Sequence, residues 1–206
     1  MSEEIIRQEE ENFEGKVSMI NRMATFIKAT TEELEEANRK LHEMAVKDAL
    51  TGVWNKAAYL DRIKAIDAED SCVPFAVAVF DMNGLKAIND SFGHGCGDQA
   101  ICDSVKILGT VFGKDCLYRI GGDEVIAVVD QTDEERMAKS FSQLDREITE
   151  INKNEHQYKR PLSLSKGYAF FNPDSDHAYI DTFRRADEAM YDDKAAYYKT
   201  HDRRRR

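Results

Sequence analysis

The chain has 206 residues and a mass of 23.5 kDa, with 39 acidic against 29 basic side chains, a formal net charge of -10 and a pI near 5.1. That length suits one domain with a real core plus a short accessory element, and 10 Phe, 8 Tyr and 1 Trp exclude wholesale disorder. The acidic balance argues against non-specific nucleic-acid binding, which needs clustered Lys and Arg. No apolar run approaches the span of a bilayer, and Met1-Ser2-Glu3-Glu4 is unlike a signal peptide. The expectation is a cytoplasmic chain that makes no membrane contact of its own.

The stretch up to about Val46 has no proline, only Gly15, and many Glu, Lys, Arg and Met residues, a helix-forming composition. Phe13, Val17, Ile20, Ala24, Ile27, Thr31, Leu34, Asn38, Leu41 and Ala45 follow a 4-3 spacing in which only Thr31 and Asn38 are polar. This spacing predicts a coiled-coil seam. With Val17 at an a position, Asn38 falls at a as well, where Asn fixes register and favours two strands. The reading is a homodimer held by residues 1–46, with residues 47–206 as the second domain. An amphipathic helix folded onto its own domain is the alternative, but so long a helix would overhang a small domain.

Thr51-Gly52 then breaks the helical pattern, and Asn55 is placed to cap a helix running to about residue 66. Residues 67–74 read as a polar connection ending in Pro74. Residues 75–80 form an apolar run of strand length that stops at Asp81. A Gly-rich segment over 91–97 opens a predicted helix over 98–112. Apolar runs over 116–120 and 125–129 flank Gly121-Gly122-Asp123-Glu124, a hairpin signal. A helix over 133–153, a strand over 162–171 and a helix over 179–198 follow, and the chain ends in four arginines, read as a disordered terminus in preference to a contact with anionic lipid or nucleic acid. The order helix, strand, helix, hairpin, helix, strand, helix predicts an α/β (α+β) sandwich with a mostly antiparallel central sheet flanked by helices. Cys72, Cys96, Cys102 and Cys116 show no C-x-x-C spacing and read as reduced, packed thiols.

Asp81, at the end of a core strand, sits where ligands bind sheets, although a strand-end Asp is also a common turn former. At the hairpin tip, Gly121-Gly122 admits close backbone approach and Asp123-Glu124 places two carboxylates beside it. If the two strands are neighbours these groups converge. Two or three hard oxygen ligands with open positions suit Mg²⁺ and a nucleoside triphosphate.

Arg119-Ile-Gly-Gly-Asp-Glu-Val125 resembles the signature of GGDEF domains, the diguanylate cyclases. The likeness extends to Asp48-Ala-Leu-Thr-Gly-Val-Trp-Asn-Lys56, to Phe80-Asp-Met-Asn-Gly-Leu-Lys-Ala-Ile-Asn-Asp90, to Ser91-Phe-Gly-His-Gly-Cys-Gly-Asp98 and to Ala186-Asp-Glu-Ala-Met-Tyr-Asp-Asp-Lys194. The motifs stand in family order over roughly residues 47–200. The resemblance implies a palm-like nucleotidyl-cyclase fold and a Mg²⁺- or Mn²⁺-dependent condensation of two GTP into cyclic di-GMP and two pyrophosphates, across a homodimer.

It further implies that Asp81, Glu124 and the Met82 carbonyl hold the metal. Asp123 would act on the ribose hydroxyl as base or as a further metal ligand, two roles that sequence does not separate. Gly122 would leave room for the triphosphate. The amides of Gly84, Leu85 and Lys86 would meet the β- and γ-phosphates in a nest, which Lys194 would reach from the last helix. Asn89 and Asp98 would select guanine, although as residue types they also suit a turn and a helix N-cap. An upstream sensor domain or partner is implied as well.

Several positions depart from the family pattern. Lys56 stands where Arg is usual, Asn83 where a second Asp is frequent, Gly84 and Leu85 where an aromatic is common, and Val125 where the motif ends in Phe. Tyr197 and Tyr198 replace a Gly and a phosphate-binding Arg. The family's feedback site, Arg-x-x-Asp, reads Phe112-Gly-Lys-Asp115, so Asp115 lacks its Arg and no inhibitory site is expected. Alternatives to an active cyclase are a catalytically silent GTP-binding regulatory module and a cyclase of altered base choice. The intact Asp81, Asp123 and Glu124 weigh against the first, and Asp98 against the second.

Overall fold

The computed structural model describes residues 2–68, 74–154 and 158–201, without the side chains of residues 2–12, 14 and 17. Cys72, the side chain of Val17 and the arginines at 203–206 therefore lie outside the described residues. The chain divides into two compact units, Met1–Ala45 and Val46–Arg206. The first is a single helix, α1, over Ser2–Val46. Its 45 residues make it about 67 Å long at 1.5 Å per residue. Phe13, Ile20, Ile27, Leu34 and Leu41, spaced by seven, are each at least 60% exposed.

In the second unit α2 (Lys56–Ala68) precedes β1 (Phe75–Met82), α3 (Leu85–Phe92) and α4 (His94–Phe112). A 3₁₀ turn, Lys114–Cys116, leads to β2 (Leu117–Arg119) and β3 (Glu124–Asp130). Then come α5 (Glu134–Ile151), β4 (Leu164–Phe170) and α6 (Tyr179–Thr200). The sheet order is β2-β3-β1-β4, and every pairing is antiparallel. The predicted sheet, hairpin and flanking helices are thus present. Asn55 Oδ1 accepts from the N–H of Ala57 and Ala58 at 2.9 and 3.1 Å, and so opens α2 as its residue type suggested.

All eight residues of β1 are buried, as in a strand covered on both faces. Alternation sorts its side chains. Ala76, Ala78, Phe80 and Met82 join Val125 and Ala127 in a core with Val105, Leu108, Met137 and Leu144 of α4 and α5. Phe75, Val77 and Val79 join Ile126 and Val128 in a core with Tyr59 of α2 and Tyr179, Ala186 and Met190 of α6.

Three local expectations are corrected. β1 continues to Met82, because the Met82 N–H donates to the Asp123 carbonyl at 3.2 Å and keeps the ladder running past Asp81. The segment after it holds an additional helix, α3. And α4 starts at His94, with Gly93 (φ 86°) as its N-cap, so Asp98 lies inside the helix and is not its cap.

Gly167 sets how closely α6 lies on the sheet. A Cβ there would overlap the Ala186 carbonyl and the Met190 amide. The edge amide of Lys166 is taken by Asp193 Oδ2 at 3.0 Å. This close seat brings the next residue of α6, Lys194, over the end of β1.

Candidate active site

Asp81 stands opposite Glu124 in the β1–β3 register and opposite Ser165 in the β1–β4 register. Because Val79 and Ile126 face α6, alternation puts Asp81 and Glu124 on that same face. Asp81 is only 4% exposed. Its Oδ2 accepts from Lys194 Nζ at 2.6 Å, and Lys194 is half-buried rather than a solvated surface lysine. The Glu124 carboxylate lies over Gly121, where an added Cβ would come within 2.8 Å of Oε2. Asp123 borders a small cavity on the α4 side, with Met82, Ser104 and Val105.

Among the described residues no group of three or more His, Cys, Asp or Glu side chains is gathered to hold a metal. Asp81 and Glu124 are brought to one face, and Asp123 is not drawn in with them. This donor set still fits Mg²⁺, which is commonly held by one or two carboxylates plus substrate phosphates rather than by a protein cage. The buried Asp81 carboxylate already takes a cationic partner, and at the hairpin tip nothing lies within 4 Å of where a Cβ on Gly122 would stand.

The turn between β1 and α3 is pinned from behind. Asn83 is buried; its N–H donates to the Ser163 carbonyl at 2.9 Å and its Nδ2 to Ser163 Oγ at 3.1 Å. Ser165 Oγ donates to Asn83 Oδ1 at 2.9 Å. Gly84 follows in the left-handed region (φ 78°) as the N-cap of α3, a conformation that favours glycine. Helix N-termini leave their first N–H groups for ligands, and those of α3 belong to Leu85 and Lys86. Lys86 is exposed, while Leu85 packs against the core.

Asn89 on α3 faces Gly97 on α4 so closely that a Cβ at Gly97 would overlap Asn89 Oδ1. That oxygen is buried and accepts no hydrogen bond within the described residues. Asp98, next to Gly97, is exposed, so the two proposed guanine contacts share the α3–α4 junction.

Sequence reasoning missed the part played by Asp48 and Arg119. Arg119 Nη1 donates to both Asp48 oxygens at 2.9 and 3.0 Å, and Nη2 donates to the Gly122 carbonyl at 2.9 Å. Burial pushes the Asp48 carboxyl up, but bonds from Thr51 and Arg119 outweigh it and hold the group below its ordinary range. Trp54 runs along the free edge of β2, where its N–H donates to Leu117 and its carbonyl accepts from Arg119 at 3.1 and 2.8 Å. Its indole donates to the Asp115 carbonyl at 2.8 Å, under the Lys47 ammonium 3.2 Å from the ring centroid. Phe112, where the family carries Arg, packs with Phe80 and Phe141 at centroid distances of 5.3 and 5.9 Å. Tyr197 stacks on His201 at 4.2 Å and meets Tyr198 edge-on.

Comparison with known proteins follows the same lines. Residues 45–199 match the family described as "Diguanylate cyclase, GGDEF domain". The chain is 30% identical over 173 residues to "Probable diguanylate cyclase DgcC" of Escherichia coli (strain K12), covering 81% of this chain and 45% of that protein. It is 29% identical over 165 residues to a diguanylate cyclase of Vibrio cholerae, covering 77% of this chain and 50% of that one. It thus spans half or less of these curated relatives. The crystal structure of the coiled coil and GGDEF domain of DgcB from Caulobacter crescentus, in complex with c-di-GMP, shares the fold, with a TM-score of 0.74 at 24% identity over 87% of this chain and 95% of that one. On the match over residues 45–199, the chain belongs to the GGDEF-domain family of diguanylate cyclases.

Proposed function

We propose that this chain condenses two GTP molecules into cyclic di-GMP and two pyrophosphates, with one GTP on each of two facing domains. The observation that carries this reading is the cross-strand pair Asp81 and Glu124 on one sheet face, with Lys194 donating to Asp81 beside the Gly121-Gly122 tip. Each ribose 3′-oxygen attacks the α-phosphorus of the opposite GTP. The hydroxyl loses its proton, a P–O bond forms to that oxygen, and the bond to the leaving pyrophosphate breaks.

Asp81, Glu124 and the Met82 carbonyl are the residues that would hold Mg²⁺ or Mn²⁺. When bound, the ion supplies neutralisation of the polyphosphate charge. Asp123 acts on the ribose hydroxyl as proton acceptor or adds an oxygen ligand. The amides opening α3 and the Lys194 ammonium meet the phosphates. Gly122 carries no side chain to obstruct them. Asn89 and Asp98 pair with the guanine edge. A carboxylate there accepts from the guanine N1–H and exocyclic amine and repels the adenine edge.

A single domain holds half of this reaction, so two must meet. The Phe13–Leu41 stripe of α1 suits a parallel two-stranded coil that raises the effective concentration of the domains it tethers. Thr31, within the seam, already donates its hydroxyl to the Ile27 carbonyl at 2.9 Å and so can face an apolar partner. An upstream sensor or partner acting through this helix is part of the proposal.

The test is incubation with GTP and Mg²⁺, the products resolved by chromatography and mass, beside an Asp123→Ala/Glu124→Ala control. Cyclic di-GMP that vanishes in the control supports the cyclase. GTP binding without product would point to the silent regulatory module.

A further inference from the structure

The Asp81 side chain is 6% exposed and that of Lys194 28%, and the two are in contact at 2.6 Å. An ionised carboxylate placed so deep is costly without a cation beside it. The surroundings fix this pairing. Gly167 lets α6 settle on β4, and Asp193, the neighbour of Lys194, holds the edge amide of Lys166. Asn83, two residues beyond Asp81, is neutral and engaged with Ser163 and Ser165. At this strand end the buried Asp81 carboxylate is met by the Lys194 ammonium.

We infer that Lys194 has two stations. It is the counter-ion of Asp81 before nucleotide arrives and a phosphate ligand afterwards, so that metal and nucleotide bind as a coupled pair. The inference rests on the reading of Asp81 and Lys194 given above. A divalent ion that approaches Asp81 alone competes with an ammonium already on that carboxylate and is repelled by it. A nucleotide brings a polyphosphate that draws the ammonium off on its flexible four-carbon stem. Asp81 is then released to the metal. By linkage, nucleotide and metal each raise the affinity of the other by the same factor.

The probe is Mn²⁺, read by electron paramagnetic resonance of the free ion, with the full chain in the absence and presence of a non-hydrolysable GTP analogue, each compared with the same mixture without protein because the analogue itself binds Mn²⁺. The unaltered protein binds Mn²⁺ weakly alone and at least about tenfold more tightly with the analogue. Lys194→Gln keeps a hydrogen-bond donor for Asp81 but removes the charge. It should bind Mn²⁺ alone about tenfold more tightly than the unaltered protein, and Lys194→Gln/Asp81→Asn should lose that gain. Thermal melting checks that each variant is folded, and Lys194→Met replaces the Gln variant if that one is not. Nucleotide-free Lys194→Gln binding Mn²⁺ no more tightly than the unaltered protein overturns the inference. Failure of the unaltered protein to bind the analogue with Mn²⁺ at all overturns instead the site reading beneath it, and the inference with it.

Discussion

Arg119 joins Asp48 to the hairpin tip: one of its terminal nitrogens donates to both Asp48 oxygens at 2.9 and 3.0 Å, while the other holds the Gly122 carbonyl at 2.9 Å. Asp48 of the domain's opening motif, 71 residues before Arg119, and the Gly-Gly turn are thereby fixed to one guanidinium. Charge-assisted bonds between partly buried groups of this kind contribute about 1–3 kcal/mol. Asp48→Asn should lower unfolding free energy by that order at pH 7, measured by urea denaturation. The pH dependence follows from the depressed Asp48 carboxyl. Its folded value lies below the unfolded one, near 3.9. The unfolded chain therefore takes up the proton first as pH falls. The contribution is complete above that value and is lost as pH drops through the folded one. The gap between the original chain and Asp48→Asn should hold from pH 7 to about pH 5 and narrow below about pH 4. A gap unchanged at pH 3 would contradict this.

Gly167→Ala tests the seat of α6. The added methyl meets backbone of Ala186 and Met190 that cannot rotate away, an overpacking that costs about 1–3 kcal/mol. Because it also lifts Lys194 from the end of β1, GTP affinity should fall along with the urea midpoint. A variant of lowered stability that binds GTP unchanged would separate the two effects and speak against Lys194 as a phosphate contact.

Asp98→Ala tests base choice. Inosine triphosphate lacks the exocyclic amine that Asp98 is proposed to accept from, so the original chain should prefer GTP over it by about tenfold or more. The variant should lose that preference, with KM moved more than kcat. Equal KM values for the two nucleotides in the original chain would move guanine recognition away from Asp98.

Feedback by product should be absent at the Phe112–Asp115 position. The ring at 112 is committed to Phe80 and Phe141, and no guanidinium stands there to fork onto guanine and phosphate. Initial rates should not change on addition of low-micromolar cyclic di-GMP. Tight binding of cyclic di-GMP to GTP-free protein that Asp115→Ala abolishes would refute this.

Much of the scaffold was legible because its signals are local. The apolar run of β1, the Gly-Gly hairpin and the Asn55 cap each lie within a few residues. The segment 85–98 was not, because its local chemistry misleads. Asn89, Asp90 and Ser91 are weak helix formers, and α3 has only eight residues, a length that packing of Ile88 must sustain. Gly93, Gly95 and Gly97 read as breakers, yet Gly97 is there so that α4 can lie against Asn89. The site divides the same way. Its residue types stood in recognisable order, but the pairing of Asp81 with Lys194, 113 residues on, and of Asp48 with Arg119 leave no mark at short range. Neither does the clamp on Asn83, whose serines follow 80 and 82 residues later.

The central claim is that one domain carries half of a reaction completed by a second copy. The most direct measurement is specific activity against protein concentration, with sedimentation run on the same samples, for the original chain and for Leu34→Glu/Leu41→Glu. Specific activity should follow the fraction of dimer, and the double variant, with two charges in the α1 stripe, should be monomeric and nearly inactive until concentrated. Specific activity that stays constant while sedimentation shows only monomer would contradict the account.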